Sequence, residues 1–173
     1  AQCASTVKKI SLELGGNAPF IVFDDADIDE AVTHCVATKF RNCGQTCVCT
    51  NRIFVHETIA TDFTEKLQHS IAALKVADGF EEGADIGPLI NSQALEKMDA
   101  LLADAVDKGA KVLLGGARHQ LGQNFYQPTL LSNISDSMRL ANEEIFGPIA
   151  AVQTFTTEDE VVEKANATEY GLA

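Results

Sequence analysis

Residues 18–40 have the sequence APFIVFDDADIDEAVTHCVATKF, and this stretch decides the fold class. Its first six residues, 18–23, are mostly apolar and rich in β-branched and aromatic side chains, which predicts a buried strand. The acids that follow are typical helix N-caps. Residues 28–40 then repeat apolar side chains at helical spacing, which predicts a helix. A buried strand that leads directly into a helix is typical of α/β proteins.

The same alternation continues along the chain. We predict further strands at 9–12, 52–56, 111–114, 127–134 and 149–155, with one more beginning at 170–173. Further helices are predicted at 58–74, 92–108 and 157–166. The polar segment 41–49 has no clean period and is predicted to be a loop. Because strands alternate with helices, the expected fold is an α/β sheet covered on both faces.

The composition is ordinary for a soluble domain and argues against two kinds of partner. The chain has 173 residues, 46% of them hydrophobic and 22% charged, which is enough for one domain with a core. Its net charge is −12 and no basic patch is visible, so no nucleic-acid partner is expected. No apolar run approaches the roughly 18 residues of a membrane span, so no membrane partner is expected. Residues 1–9 lack the apolar centre of a secretory signal.

The cysteines indicate a reducing compartment rather than a disulfide framework. Their number, five, is odd, and three of them are crowded into seven positions. No Cys-x-x-Cys pair occurs and the four histidines are scattered, so no metal site is expected. We expect a cytoplasmic protein, with the mitochondrial matrix as the open alternative. The five residues are Cys3, Cys35, Cys43, Cys47 and Cys49.

Cys47 is the candidate nucleophile, at the end of the segment GQTC at 44–47. The thiolate is the reactive form of cysteine. A loop with a glycine before the sulfur can turn tightly and expose both the sulfur and its amide, which is then a ready oxyanion donor. Arg41 lies nearby in sequence and could add positive potential. The alternative is a small buried apolar residue, as most free cysteines are.

Cys49 follows two residues later and is a candidate redox partner of Cys47. If the segment is extended, the two side chains point the same way. A disulfide between them would close a small strained ring that is easily reduced, and it would block the nucleophile. The alternative is a second packed cysteine. Cys3, Cys35 and Cys43 are expected to be structural, or at most incidental.

Glu13 is the candidate base, in the segment LELGGN at 12–17. Its two leucine neighbours suggest an apolar setting, which would raise the pKa of the carboxyl group. Such a group can take a proton from water, and the adjacent glycines would let it swing. The alternative is a surface glutamate on a strand edge.

Three motifs in this order resemble the aldehyde dehydrogenase superfamily over the whole length of the chain. They are ELGG at 13–16, GQTC at 44–47 and EIFGP at 144–148. Residues 13–23 and 39–49 are similar to the succinate-semialdehyde dehydrogenase subgroup. Asn17 replaces the lysine common elsewhere in the superfamily, which fits that subgroup, and Cys43 stands where a small residue is usual.

The resemblance implies an oxidoreductase that uses NAD or NADP. It implies that Cys47 attacks the aldehyde carbon and passes through a thioester, and that Glu13 activates the hydrolytic water. Arg41 would bind a carboxylate at the far end of the substrate, which a guanidinium can grip with two hydrogen bonds. The alternative for Arg41 is a surface salt bridge. The implied cofactor-binding residues are Glu144 at the ribose, Phe146 beside the nicotinamide, Leu14 and Gly15.

The resemblance also implies an incomplete fold. Residues 1–9 would be the end of a preceding cofactor domain, and residues 10–173 a catalytic domain with a three-layer αβα sheet, truncated at its C-terminal end. No GxGxxG loop is present, so the chain alone is expected to be inactive, and the full-length protein to be a homo-oligomer. The alternative function is a non-catalytic assembly domain with a redox-sensitive cysteine pair. A CoA-acylating dehydrogenase is disfavoured, because Glu13 is present to activate water.

Overall fold

The computed structural model describes residues 2–172, and they form five strands and five α-helices. The strands are β1 (Pro19–Val22), β2 (Arg52–His56), β3 (Lys111–Leu114), β4 (Thr129–Ser132) and β5 (Ile149–Phe155). The helices are α1 (Ile28–Phe40), α2 (Ala60–Ala72), α3 (Ser92–Asp107), α4 (Arg139–Asn142) and α5 (Glu158–Asn166), with 3-10 turns at Ala4–Thr6 and Arg41–Gly44.

The five strands form one sheet in the order β1-β2-β5-β4-β3. The first four of these run parallel to one another, whereas β3 pairs antiparallel with β4 at the edge. Parallel neighbours need a crossover connection, and α1 supplies it between β1 and β2. The α/β prediction is therefore confirmed.

Both faces of the sheet carry helices, as predicted. In β2, Ile53 and Val55 join the larger apolar cluster, to which α1, α2 and α3 contribute their buried side chains. The intervening Phe54 belongs to a smaller cluster with Phe155 and with Val161 of α5. This alternation is the period of two that a strand imposes on its side chains.

Local sequence accounts for the ends of the helices. Asp27 Oδ1 accepts hydrogen bonds from the backbone N–H groups of Asp29 and Glu30 at 3.0 and 3.1 Å, so α1 begins where predicted. Asn91 caps α3 in the same way. Gly109, with φ +97°, follows the end of α3 at the position that favours a left-handed glycine.

Several predicted bounds are wrong. Residues 9–12 pair with no strand in the described part of the chain, and Ile10 and Leu12 are exposed, so nothing holds them extended. Helix α2 and strand β4 are shorter than predicted, and the short α4 was not predicted. Residues 170–172 form no strand. Residues 2–9 contain only the turn Ala4–Thr6, and their assignment to a preceding domain stays a prediction.

The two terminal residues, Ala1 and Ala173, lie outside the described residues. Of the helices in residues 2–172, none combines the length and apolar character that a membrane crossing requires. In the same range, no group of three or more histidine, cysteine or acidic side chains is arranged to hold a metal ion.

Candidate active site

Three neighbouring strands begin at the same edge of the sheet, and each is preceded by one of the three motifs. β1, β2 and β5 are adjacent and parallel, so their amino ends lie side by side. The segments that precede them include residues 13–16, 44–47 and 144–148 respectively. The sheet therefore brings together motifs that lie far apart in the sequence.

Two glycines allow these segments to touch. A β-carbon at Gly16 would collide with the backbone carbonyl oxygen of Cys47, and one at Gly44 would collide with that of Gly147. Gly44 also has φ +71°, a left-handed conformation that glycine adopts without strain. The first and third motifs therefore each lie in backbone contact with the second.

The backbone that leads to Cys47 has an unusual conformation. Asn42, Cys43 and Gly44 are all left-handed, with φ of 50°, 59° and 71°. Such a run is sparsely populated outside glycine, so the surrounding packing must hold it in place. The Cys47 side chain stays half-buried, whereas burial raises the pKa of Cys35 and Cys43 to about 12. The latter two thiols are packed groups, as predicted.

The extended conformation that would align the Cys49 side chain with that of Cys47 is not formed. The segment turns rather than extends, because the Cys49 backbone N–H donates to the Thr46 carbonyl at 3.2 Å. The Cys49 thiol is buried and donates to the Gly44 carbonyl at 3.3 Å. The extended conformation is therefore wrong, and both sulfurs are free thiols.

Glu13 is exposed, and its neighbours Leu12 and Leu14 are 64% and 55% exposed. The apolar setting expected for this carboxyl group is therefore not formed by residues 2–172. Glu13 does lie three positions before Gly16, whose α-carbon abuts the Cys47 carbonyl. The candidate base thus belongs to the segment that contacts the nucleophile.

Glu144 is held by contacts from two directions. Its Oε1 accepts a hydrogen bond from the Gly16 backbone N–H at 3.0 Å, and its backbone carbonyl accepts one from Lys97 Nζ at 2.7 Å. Its Oε2 lies over Gly15, where an added β-carbon would come within 3.0 Å of it. The carboxylate therefore lies directly against the glycine pair of the first motif.

The other predicted cofactor residues line two cavities. Phe146, which has φ +53°, lines a cavity of about 510 Å³ together with Gln45 of the second motif. Leu14 and Gly15 line another of about 420 Å³, together with Tyr170. The two cavities are open to solvent in this chain and are lined by residues from all three motifs.

Arg41 is exposed at the point where α1 ends and the loop to Cys47 begins. Within residues 2–172 it takes part in no ion pair. Its guanidinium is therefore accessible in this chain, six positions before the candidate nucleophile.

Two buried polar side chains beside the site were not predicted. Arg52 is 3% exposed, and its Nε and Nη2 donate to the Asn17 carbonyl at 3.1 and 2.9 Å. Asn51 is 2% exposed and bonds to the Asn17 side chain at 2.6 Å. The sequence signal for both was available: a polar pair directly before the apolar run of β2.

Lys39 was also missed. It is fully buried, and Nζ has no hydrogen-bond partner among the described residues. Burial lowers the pKa of this amine, and the opposing attractions come first from Cys49 and then from Cys35, Cys43 and Glu144. Its position four residues after Cys35 places it on the buried side of α1, which is the signal that could have identified it.

The chain matches the aldehyde dehydrogenase family over residues 1–173. It is 54% identical to the 3-sulfolactaldehyde dehydrogenase of Pseudomonas putida, over 99% of this chain and 35% of that protein. It is 53% identical to the mitochondrial succinate-semialdehyde dehydrogenase of Arabidopsis thaliana, over 100% of this chain and 33% of that protein. The chain therefore spans about a third of the length of these relatives.

Solved structures agree with these sequence relatives. The succinate-semialdehyde dehydrogenase of Burkholderia pseudomallei superposes with a TM-score of 0.95 at 54% identity, over 98% of this chain and 35% of that one. The lactaldehyde dehydrogenase of Escherichia coli gives a TM-score of 0.91 at 39% identity, over 98% and 36%. The fold expected from the three motifs is thus confirmed, and this chain belongs to the aldehyde dehydrogenase family.

Proposed function

We propose that the protein containing this chain oxidises an aldehyde to the carboxylic acid, with Cys47 as the nucleophile and NAD or NADP as the hydride acceptor. One observation carries the proposal: Gly16 abuts the Cys47 carbonyl and also donates to Glu144 Oε1 at 3.0 Å. This single contact set joins the nucleophile segment, the base segment and the cofactor carboxylate. Membership of the family supports the same chemistry.

In this proposal the covalent steps use residues of this chain. The Cys47 sulfur attacks the aldehyde carbon and forms a C–S bond, and the resulting oxyanion accepts a hydrogen bond from the Cys47 backbone N–H. When bound, the nicotinamide ring supplies the acceptor for the hydride that leaves this carbon. Cys47 is then acylated as a thioester. Glu13 takes a proton from water, the water attacks the thioester carbon, and the C–S bond breaks to release the acid and the Cys47 thiolate, after which Glu13 gives its proton to solvent.

The residues that would hold the cofactor suit a ribose and a flat ring. Glu144 Oε1 already accepts a hydrogen bond from the Gly16 N–H, so Oε2 is left to accept one from a ribose hydroxyl. That oxygen lies over Gly15, where an added β-carbon would meet it at 3.0 Å, so the missing side chain leaves space for the carboxylate itself. Phe146 would pack beside the nicotinamide from the first of the two cavities, and Leu14 would contact the cofactor from the second.

We propose an aldehyde that carries an acid group at its far end. Arg41 is exposed and lies six positions before Cys47, and a guanidinium can bind a carboxylate through two hydrogen bonds. Several relatives are named for acidic aldehydes, including succinate semialdehyde and glutarate semialdehyde. Succinate semialdehyde is our first choice of substrate.

We further propose that the 173 residues alone do not turn over, because the chain spans about a third of its relatives. We also propose that the intact protein is a homo-oligomer, which the family resemblance implies. Free thiols at all five cysteines favour a reducing compartment such as the cytoplasm or the mitochondrial matrix. Aldehyde-dependent NADH or NADPH formation by the isolated chain would contradict the first of these proposals.

The catalytic assignment is tested in the intact protein. Cys47→Ala should abolish aldehyde-dependent NAD(P)H formation, and iodoacetamide should alkylate Cys47 at least about tenfold faster than the buried Cys35, as peptide mass spectrometry would measure. Cys3→Ser, at a partly exposed thiol outside the site, is the matched control and should keep full activity. Turnover by Cys47→Ala would overturn the proposal. Equally slow labelling of both thiols would instead favour the non-catalytic assembly domain.

A further inference from the structure

Asn51 makes an unusual set of contacts around Glu144. Its Nδ2 donates to the carbonyl of Glu143 at 3.1 Å, and its Oδ1 accepts from the backbone N–H of Ile145 at 2.9 Å. The amide thus binds the carbonyl before Glu144 and the N–H after it. In an extended backbone these two groups point to the same side, so the Asn51 side chain takes the place of a neighbouring strand.

The opposite side of the same residue is also occupied. Lys97 Nζ donates to the carbonyl of Glu144 itself at 2.7 Å. The backbone of Glu144 is therefore bound on both edges by side chains from two different elements. With the backbone fixed in this way, the carboxylate is directed to the Gly16 N–H, which it meets at 3.0 Å.

The Asn51 amide also reaches the first motif. Its Nδ2 donates to Asn17 Oδ1 at 2.6 Å, and both residues are 2% exposed. Asn17 directly follows Gly16, so one buried amide links the glycine pair to the backbone of Glu144. Buried amides that satisfy both their donor and their acceptor groups are rigid, because any other position would leave a polar group unpaired.

We propose that Asn51 is a positioning residue that holds the Glu144 carboxylate in place for the cofactor ribose. This inference rests on the proposed function, in which Glu144 contacts the cofactor. Asn51 itself contacts neither substrate nor cofactor. Removing the Asn51 amide leaves the Glu144 carboxylate chemically intact but no longer held towards the ribose. Cofactor affinity therefore falls, while the chemistry at Cys47 is retained.

The test is a double-mutant cycle on the intact protein, with the Kd and KM for NAD(P) as readouts. Asn51→Ala should raise both by about tenfold, the equivalent of about 1.4 kcal/mol. The value of kcat should change less than threefold. In a Glu144→Gln background, which itself weakens cofactor binding, Asn51→Ala should have no further effect. Asn51→Asp keeps the acceptor for Ile145 but loses the donor, and serves as the second variant should the alanine variant fail to fold.

A matched control separates positioning from general support. Thr50 lies one residue before Asn51 and outside the cofactor site. Thr50→Val removes the 2.9 Å hydrogen bond between the hydroxyl groups of Thr50 and Thr38. It should lower Tm without changing the Kd for the cofactor. An unchanged Kd in both Asn51 variants, or an equal loss with and without Glu144, would overturn the inference while leaving the proposed function standing. A normal Kd in Glu144→Gln alone would instead remove the cofactor role of Glu144 on which it rests.

Discussion

The two ends of the parallel strands are built differently. At the carboxyl ends, the turns into α1 and α5 are closed by near neighbours: Asp27 accepts from N–H groups two and three residues later, and Thr157 accepts from that of Glu160. At the amino ends, the hydrogen bonds join distant segments, and the bond from Gly16 to Glu144 spans 128 positions. At the carboxyl-end edge of the sheet the helix starts are thus shaped locally, whereas the amino-end edge is assembled from several parts of the chain.

We expect this difference to separate effects on stability from effects on activity. A local cap affects mainly the helix that it begins, so its removal should lower stability and leave the site intact. A contact between distant motifs sets the relative position of reacting groups, where a shift of about 1 Å can cost on the order of 100-fold in rate. Substitutions at the two edges should therefore have opposite profiles.

The largest effect is expected from Gly16→Ala in the intact protein. The added methyl group would meet the Cys47 carbonyl and the Leu172 carbonyl, both of which are backbone atoms that cannot rotate away. We expect aldehyde oxidation to fall by roughly 100-fold. Gly79→Ala is the control, because a β-carbon there meets nothing within 4 Å. Equal activity of the two variants would break the link between the amino-end contacts and function.

Lys39→Met should stabilise the protein near neutral pH by about 1 to 4 kcal/mol, the range seen when buried ion pairs are replaced by well-packed apolar side chains. Burial lowers the pKa of Lys39 from its ordinary value of 10.5, so the unfolded chain binds a proton that the folded chain releases between the two pKa values. Stability of the natural protein therefore rises with pH across that window.

The measurement for Lys39 is urea unfolding at several pH values. The advantage of Lys39→Met should be full below the window and should shrink as the pH approaches 10.5. Lys111→Met, at an exposed lysine of β3, is the control and should show no such trend. A stability difference that is the same at every pH would show that burial does not lower the pKa of Lys39.

Asp27→Ala tests the locally shaped edge. Removing the carboxylate that caps α1 should lower the free energy of unfolding by about 1 kcal/mol, with kcat/KM unchanged within about twofold. Asp24→Ala removes an exposed carboxylate outside the cap and should be neutral. A loss of activity larger than the loss of stability would contradict the separation of the two edges.

The smallest effect is expected away from both edges. Arg118 and Asp99 form an ion pair of 2.7 Å, but their side chains are 54% and 43% exposed. Exposed pairs of this kind contribute less than about 1 kcal/mol, and salt screens them. Arg118→Gln should therefore shift the urea midpoint only slightly, and by less at 1 M salt. A large shift would indicate that this surface supports the sheet more than its exposure suggests.

Much of the fold was predictable because its causes act over a few residues. Helix α1 and strands β2, β3 and β5 have the predicted bounds, since caps and apolar runs lie within the elements themselves. The strand predicted at 9–12 failed because a strand also needs a partner, and in the described residues none lies beside it. The short helix α4 has too few residues to show a period.

The site divides in the same way. The three sequence motifs identified Cys47, Glu13 and Glu144 as candidates, and the roles of these residues stay predictions. The supporting groups Asn51 and Lys39 carry no such signature, because an asparagine or lysine becomes informative only once its burial and partners are visible.

By itself, the sequence determined the alternation of strands and helices and the family, and it predicted which side chains react, because these depend on residue type and short spacing. Only the tertiary structure decided that β1, β2 and β5 lie side by side and that a buried amide joins their leading segments. The physical reason is that hydrogen bonds and backbone contacts between distant residues depend on strand order, which no local pattern encodes.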